Sequence, residues 1–149
     1  MNIGLAVEVA SELCKRFEGC YLTPYLCPAG VATIGYGATY YRDGAAVTLM
    51  DAPITKEQAK SLLLWMVETR YLPAVIRLCP EIDTPERLAA IIDFAFNLGS
   101  GALKASTLRR RINAGRWDDV PSQLSRWNKA GGRVLRGLTL RRSAEAQLC

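Results

Sequence analysis

The sequence predicts a single α+β domain, in which a small antiparallel sheet and a larger group of helices occupy separate parts of the chain. Residues 20–52 combine β-favouring side chains with four glycines, whereas the flanking segments carry apolar residues at helical spacing. The 149 residues are 50% hydrophobic, which is enough for one core. We therefore expect one domain over 1–149. Its sheet lobe covers about 18–54, and its helical lobe covers about 55–149 together with the N-terminal helix. A ligand cleft is expected between the two lobes.

The N-terminal segment is predicted to be an amphipathic helix. Apolar residues recur at helical spacing from Leu5 to Phe17. Gly19 follows as a residue suited to the left-handed turn that ends many helices. The pattern places Glu18 at the C-terminal end of this helix.

Residues 20–52 are predicted to form short strands joined by turns, because Tyr, Thr and Val alternate with glycines. Thr33 lies on a strand in the segment VATIGYG. Gly35 and Gly37 leave room for a bulky ligand to approach the backbone.

Helix signals dominate the rest of the chain. Thr55 and the residue three positions later form a capping-box signature, and Pro73 predicts a kink or break near Leu72. Thr84-Pro85 starts the segment ERLAAIIDFAFN, whose apolar character on nearly all sides indicates a buried central helix. We expect that helix to end at Gly99 and Gly101, and further helices at about 106–114 (closed by Gly115), 117–128 (closed by Gly131-Gly132) and 138–147.

Charge is distributed unevenly. The net charge is +5 overall, −3 over residues 1–99 and +8 over residues 100–149. A basic half suits either a polyanionic partner, such as nucleic acid or an anionic cell envelope, or a solvated surface that maintains solubility. No apolar stretch approaches the length of a membrane span, and the N-terminal segment has no basic region of the signal-peptide type, so neither is expected.

The chain has five cysteines and no histidine. The cysteines lack CxxC spacing, so a zinc site and a nucleophile paired with histidine are not expected. Carboxylate chemistry remains as the natural basis of any catalytic activity.

Three residues near the helix-to-sheet junction are candidates for that chemistry. Glu18 is either a solvated helix-end residue or a general acid kept protonated by burial. Thr33 is either an ordinary strand residue or a hydroxyl that orients water. Cys27 precedes a proline and so lies in a loop, where it is either a small buried hydrophobe or a functional thiol.

Together Glu18, Cys27 and Thr33 form the pattern E-x8-C-x5-T. This stretch resembles the phage lysozyme or endolysin family, glycoside hydrolase family 24, whose motif is E-x8-D-x5-T followed by a GYG-type turn. The resemblance extends from about residue 10 to 147. It includes, in family order, the segments FEG, TIGYGAT, ITKEQA, FAFNLG, STL, INAGRW and WNKAGGRVLRGLTLRRSAE.

The resemblance implies a lysozyme-like fold and a muramidase that cuts, with inversion, the β-1,4 bond between N-acetylmuramic acid and N-acetylglucosamine at the end of a phage infection. Glu18 would protonate the departing oxygen, and position 27 with Thr33 would position or activate a water. Cys27 stands where the family usually has aspartate, although some relatives carry cysteine there. A thiolate could replace the charge of that carboxylate. Ala38 stands where a histidine is common in the family.

Further site residues follow from the resemblance. Phe96, Asn97, Ser106 and Thr107 match motif residues that line or brace the cleft on its helical side, and we assign them to substrate binding. From the residues alone, Phe96 fits core packing and Ser106 or Thr107 fits helix capping equally well.

The terminal landmark GLxxRRxxE contributes Arg141, Arg142 and Glu145. Their spacing suits a structural ion pair on one helix, so we assign them to fold stability rather than catalysis.

Two other functions stay open. The segment Arg109-Arg110-Arg111 with Trp117 nearby is basic and aromatic, as in nucleic-acid-binding modules, but the triplet wraps around a helix and no recognised motif is present. A lysozyme fold that binds glycan without cleaving it is the other, because one carboxylate is missing.

We favour hydrolysis, since acid-catalysed cleavage can least spare Glu18. The expected partner is peptidoglycan, with no cofactor, metal, nucleic acid or stable membrane insertion. We expect a monomer made in the host cytoplasm that acts on the cell wall in the periplasm.

Overall fold

The computed structural model describes residues 1–149 and confirms the α+β class. The helices are α1 Ile3–Phe17, α2 Lys56–Met66, α3 Leu72–Leu78, α4 Pro85–Leu98, α5 Ser100–Ala105, α6 Thr107–Asn113, α7 Val120–Ser125 and α8 Arg136–Gln147. The strands are β1 Tyr21–Leu26, β2 Ala32–Gly35, β3 Lys129–Ala130 and β4 Arg133–Val134. A π-helical turn, Val67–Tyr71, joins α2 to α3, and a 3₁₀ turn, Trp117–Asp119, precedes α7. None of the helices has both the length and the apolar character needed to cross a bilayer.

Helix α4 lies at the centre of the helical part, as its apolar sequence predicts. Thr84 caps it by accepting a hydrogen bond from the backbone of Arg87, and Pro85 occupies its first turn. Residues 88–95 are all buried, and α4 packs against α1 and α8. One core cluster continues from this helix to Ile34 and Tyr36 of the sheet region, so the two parts share a hydrophobic core.

The end of α1 differs from the prediction in its physical cause. The backbone N–H of Glu18 donates to Cys14 O at 2.8 Å, and Glu18 is already extended, with φ −93° and ψ 141°. Gly19 is not in the left-handed conformation. A Cβ on Gly19 would lie 2.7 Å from the ring of Tyr21, so glycine is required there for the close approach of that ring.

The sheet is an antiparallel ribbon of β1 and β2. Tyr25 pairs with Thr33 and Leu26 pairs with Ala32, with a bulge between Tyr21 and Tyr25. Single bridges at Ile34–Ala38 and Tyr40–Ala46 extend the ribbon into the following loop. The register places Thr33 beside the loop that begins at Cys27.

The region around Pro73 is continuous rather than broken. The α2 capping box at Thr55 is present as predicted. The helical path then widens into the π turn and resumes in α3, with Pro73 in the first turn of α3.

The later helices differ from the prediction in their bounds. Gly99 ends α4 with φ +92°, but Gly101 lies inside α5. The helix predicted at 117–128 is a 3₁₀ turn followed by α7, and α8 begins at Arg136. Gly131 and Gly132, with φ +58° and +77°, do not close a helix but form the two-residue turn of the β3–β4 hairpin.

Candidate active site

Glu18 lies where α1 meets the sheet, with its side chain 28% exposed. Its Oε1 accepts a hydrogen bond from Arg141 Nη1 at 3.1 Å. No protein group bonds to Oε2, so this oxygen is free to face a ligand. The carboxyl is therefore anchored on one side and available on the other.

Arg141 is held from behind by Asp93. Its Nε donates to Asp93 Oδ2 at 2.9 Å, and its Nη2 donates to Asp93 Oδ1 at 2.8 Å. This parallel pair of bonds fixes the guanidinium in position and orientation. Arg141 and Asp93 are 4% and 0% exposed, so the contact is shielded from water.

Cys14 completes the surroundings of Asp93, since its thiol donates to Asp93 Oδ1 at 3.3 Å. Burial, reinforced by the neighbouring Asp93 carboxylate, raises the pKa of the Cys14 thiol far above its ordinary value. Burial also favours a neutral Asp93, but the hydrogen bonds from Arg141 and Glu145 outweigh it and lower the pKa of Asp93. Asp93 is therefore ionised beside a neutral thiol.

A second cluster lies deeper in the helical part. Arg142 Nη2 donates to Glu145 Oε2 at 2.8 Å and to Asn97 Oδ1 at 2.9 Å. Arg142 Nε and Glu145 Oε1 are 2.7 Å apart but misaligned, and neither atom has a hydrogen-bond partner. Burial and then the adjacent Asp93 raise the pKa of Glu145 to about 10.

Cys27 and Thr33 lie together across the ribbon, as the sequence pattern predicts. The backbone N–H groups of Val31 and Ala29 point at the Cys27 thiol and lower its pKa, and the Thr33 hydroxyl adds to the effect. In this structure the hydroxyl gives its single proton to Val31 O at 2.9 Å, so it must rotate to donate to Cys27. The Cys27 side chain is partly exposed, which a reactive thiol requires.

Tyr25 on β1 is influenced by both Glu18 and Cys27. Burial raises the pKa of Tyr25, and the charges of Tyr21, Glu18 and Cys27 add to the effect. The acid candidate and the thiol candidate therefore act electrostatically on a common neighbour.

Phe96 lies beside the wall of a cavity between the two parts of the chain. The cavity of about 460 Å³ is bounded by residues 37–44 on one side and by 65–71 on the other. Tyr71, on the wall of this cavity, packs on Phe96, with ring centroids 5.0 Å apart. A larger cavity of about 760 Å³ lies between α1 and α2, and neither cavity is lined by Glu18, Cys27 or Thr33.

The other substrate-binding candidates make structural contacts. Asn97 braces Arg142 through the bond described above. Ser106 caps α6, since its hydroxyl accepts from Arg109 N at 3.0 Å and donates to Leu103 O at 2.7 Å. Thr107 accepts from Arg110 Nη2 at 3.0 Å. Roles of these residues in substrate binding stay predictions, and for Ser106 the contacts are those of the capping alternative.

Two features of the site lie outside the sequence prediction. From the sequence, Asp93 is predicted only as part of a buried apolar helix. It is the one charged residue between Arg87 and Gly99, and a lone charge in such a helix indicates a buried ion pair or a functional group. The spacing on α8 allows Glu145 to pair with either arginine; Arg142 makes that contact, whereas Arg141 binds Asp93 and Glu18. No group of three His, Cys, Asp or Glu side chains is arranged to hold a metal ion.

Comparisons with known proteins agree with this architecture. A family model described as Phage lysozyme matches residues 15–145. The endolysin of Bacillus phage B103 is 36% identical over 150 residues, covering 99% of this chain and 54% of that relative. The SAR-endolysin of Enterobacteria phage P21 is 33% identical over 156 residues, covering 98% of this chain and 88% of that relative.

Among solved structures, an endolysin from Escherichia coli O157:H7 phage FAHEc1 superposes with a TM-score of 0.81 at 33% identity, covering 94% of this chain and 89% of that one. The chain spans about half the length of its Bacillus phage relatives. The match nevertheless runs through the residues that build the site, from the end of α1 to α8. The chain therefore belongs to the phage lysozyme family.

Proposed function

We propose that the protein is a peptidoglycan hydrolase that cleaves the β-1,4 bond between N-acetylmuramic acid and N-acetylglucosamine during host cell lysis. The observation that carries this proposal is the half-anchored Glu18, with Oε1 fixed by Arg141 and Oε2 free. A glycosidase needs a carboxyl in a fixed position that can donate a proton to the leaving oxygen.

Glu18 acts as the general acid. It lies at the end of α1, and its side chain is partly exposed. Oε2 carries the proton toward the glycosidic oxygen while Arg141 prevents the side chain from rotating away.

Cys27 and Thr33 act on the water. The backbone N–H groups at Val31 and Ala29 stabilise the Cys27 thiolate, which supplies the negative charge that aspartate supplies in most relatives. The Thr33 hydroxyl orients the water against that thiolate. Water attacks the anomeric carbon from the face opposite the leaving group, so the configuration inverts.

Inversion is measured directly by NMR. Hydrolysis of a β-linked glycan oligomer should yield the α-anomer before mutarotation. First appearance of the β-anomer would contradict the proposed water attack and indicate a covalent intermediate.

The substrate is a glycan strand of the cell wall, and the protein acts on it as a single-domain monomer in the periplasm. The +8 charge of residues 100–149 favours an anionic envelope as the surface on which it works. The cavity beside Phe96, with Tyr40, Trp65 and Tyr71 on its walls, offers aromatic faces to sugar rings.

Replacement of the acid tests the proposal. Glu18→Gln keeps the size and the bond from Arg141 but removes the transferable proton, so we expect clearing of outer-membrane-permeabilised Gram-negative cells to slow by about 1,000-fold. Glu12→Gln on the same helix, where Glu12 only pairs with Lys15 on the surface, is the matched control and should clear at the wild-type rate. Clearing by Glu18→Gln at the wild-type rate would refute the mechanism.

A further inference from the structure

We propose that Asp93 is a positioning residue for the acid. Its buried carboxylate offsets the charge of Arg141, so that Arg141 can hold Glu18 in place without favouring loss of the Glu18 proton. The inference rests on the proposed role of Glu18 as general acid.

Arg141 has two opposing effects on Glu18: it holds the carboxyl in place, and its positive charge favours loss of the proton. A guanidinium that bonds to a carboxyl favours the ionised form, and one such charge within hydrogen-bond distance lowers a carboxyl pKa by about 1–3 units. Arg141 lies 3.1 Å from Glu18. A free guanidinium at that distance would fix the general acid in place and at the same time deprotonate it.

The hydrogen bonds between Asp93 and Arg141 reduce the effect of the Arg141 charge on Glu18. Asp93 takes two of the donors of Arg141, Nε and Nη2, at 2.9 and 2.8 Å, and leaves Nη1 for Glu18. Because both side chains are buried, the attraction within the pair is weakly screened. Glu18 therefore meets a nearly neutral ion pair that presents one N–H.

Apart from the proposed Cys27 thiolate, which is present in every variant compared, the other titratable groups around Glu18 add little charge. Cys14 on α1, Tyr25 on β1 and Tyr71 in the π turn all act on it electrostatically. All three are neutral near pH 7, because burial raises the pKa of each. The charges that act on Glu18 from the packed helices come from Arg141 on α8 and Asp93 on α4.

Substitution of Asp93 alone could leave the Glu18 titration unchanged, because Glu145 could replace its negative charge. Its carboxyl lies against Asp93 and keeps its proton, partly because Asp93 is negative. Without that negative charge, Glu145 can release its proton and supply a replacement. The informative variant is therefore Asp93→Asn combined with Glu145→Gln.

The experiment follows the Glu18 carboxyl by ¹³C NMR through a pH titration in three proteins, with the signal assigned from Glu18→Gln. Glu145→Gln alone is the matched control and should titrate at the wild-type midpoint, because it replaces a carboxyl that is already neutral. In Asp93→Asn with Glu145→Gln, the midpoint should fall by about 1–2 pH units. The pH profile of kcat/KM should move with it.

Loss of stability alone would not reproduce this result, since a loosened fold lowers activity without moving a titration. An unchanged Glu18 midpoint in a folded double variant would overturn the inference. If the double variant does not fold, the wild type decides the question: Asp93 should stay ionised at every pH at which Glu18 takes up its proton, and protonation of Asp93 first would overturn it. Activity of Glu18→Gln would refute the proposed function instead, and it leaves these titrations unaffected.

Discussion

Glu18 and Cys27 are nine residues apart in the sequence, yet different forces hold them. The acid is fixed by formal charges from α4 and α8, in a buried network whose members are 48 and 123 residues from one another along the chain. The pKa of the thiol is lowered by backbone N–H groups and one hydroxyl within the seven-residue segment 27–33. Fixed charges restrain a carboxyl that must keep its proton, whereas neutral dipoles favour a negative charge without adding a cation beside the reacting sugar.

After loss of the acid itself, the largest effect is expected from replacement of Cys27 on the ribbon. Cys27→Ala removes the negative charge beside the water, so kcat should fall by about 100-fold or more. Cys27→Asp restores a carboxylate and should keep activity with a lower pH optimum. Because the midpoint of a bell-shaped profile lies halfway between its two pKa values, exchange of a thiol for a carboxyl should lower the optimum by about 1–2 units.

The exposed Cys20 must be removed before thiol chemistry can report on Cys27. In a Cys20→Ser background, the accessible thiol nearest the site is Cys27, since Cys14 and Cys79 are buried. Alkylation of that thiol should abolish clearing, and the same reagent should leave Cys27→Asp in the same background active. Full activity after complete alkylation of Cys27 would show that the Cys27 thiol takes no part in the mechanism.

The buried network that includes Asp93 and Glu145 should affect how the free energy of unfolding depends on pH. Glu145 binds a proton in the folded state up to a pKa of about 10 but ionises near its ordinary value when unfolded. The folded state therefore holds one more proton, and stability should fall as the pH rises from about 6 to about 8. Glu145→Gln should flatten this dependence in urea unfolding, and an equal slope in both proteins would mean that Glu145 is ionised in the fold.

The smallest effect is expected at Thr33. Thr33→Val removes the hydroxyl but not the shape, so kcat should fall by about 10-fold and the pH at which Cys27 becomes reactive toward iodoacetamide should rise slightly. Thr33→Ser keeps the hydroxyl and serves as the control. A larger loss with Thr33→Val than with Cys27→Ala would reverse the order of importance that we assign to these two residues.

The comparison also explains what the sequence could predict. Glu18, Cys27 and Thr33 lie within one short segment, where helix end, loop and strand follow from local signals, so their grouping was predictable. The contacts of Asp93 with Arg141 depend on how α4 packs against α8, and spacing along α8 alone could not decide which arginine pairs with Glu145. The role of Gly19 was likewise hidden, because it depends on the direction of the Tyr21 ring rather than on a turn.

The π turn between α2 and α3 has a consequence for changes of length in this chain. A π turn accommodates one extra residue without breaking the helical path, and one residue corresponds to about 100° of rotation. Deleting a residue from Val67–Tyr71 would restore regular helical hydrogen bonding, but it would turn one flanking helix relative to the other and remove Tyr71 from the face of Phe96. Insertions and deletions in this segment are therefore changes to the wall of the cleft, even though they leave every proposed catalytic residue in place.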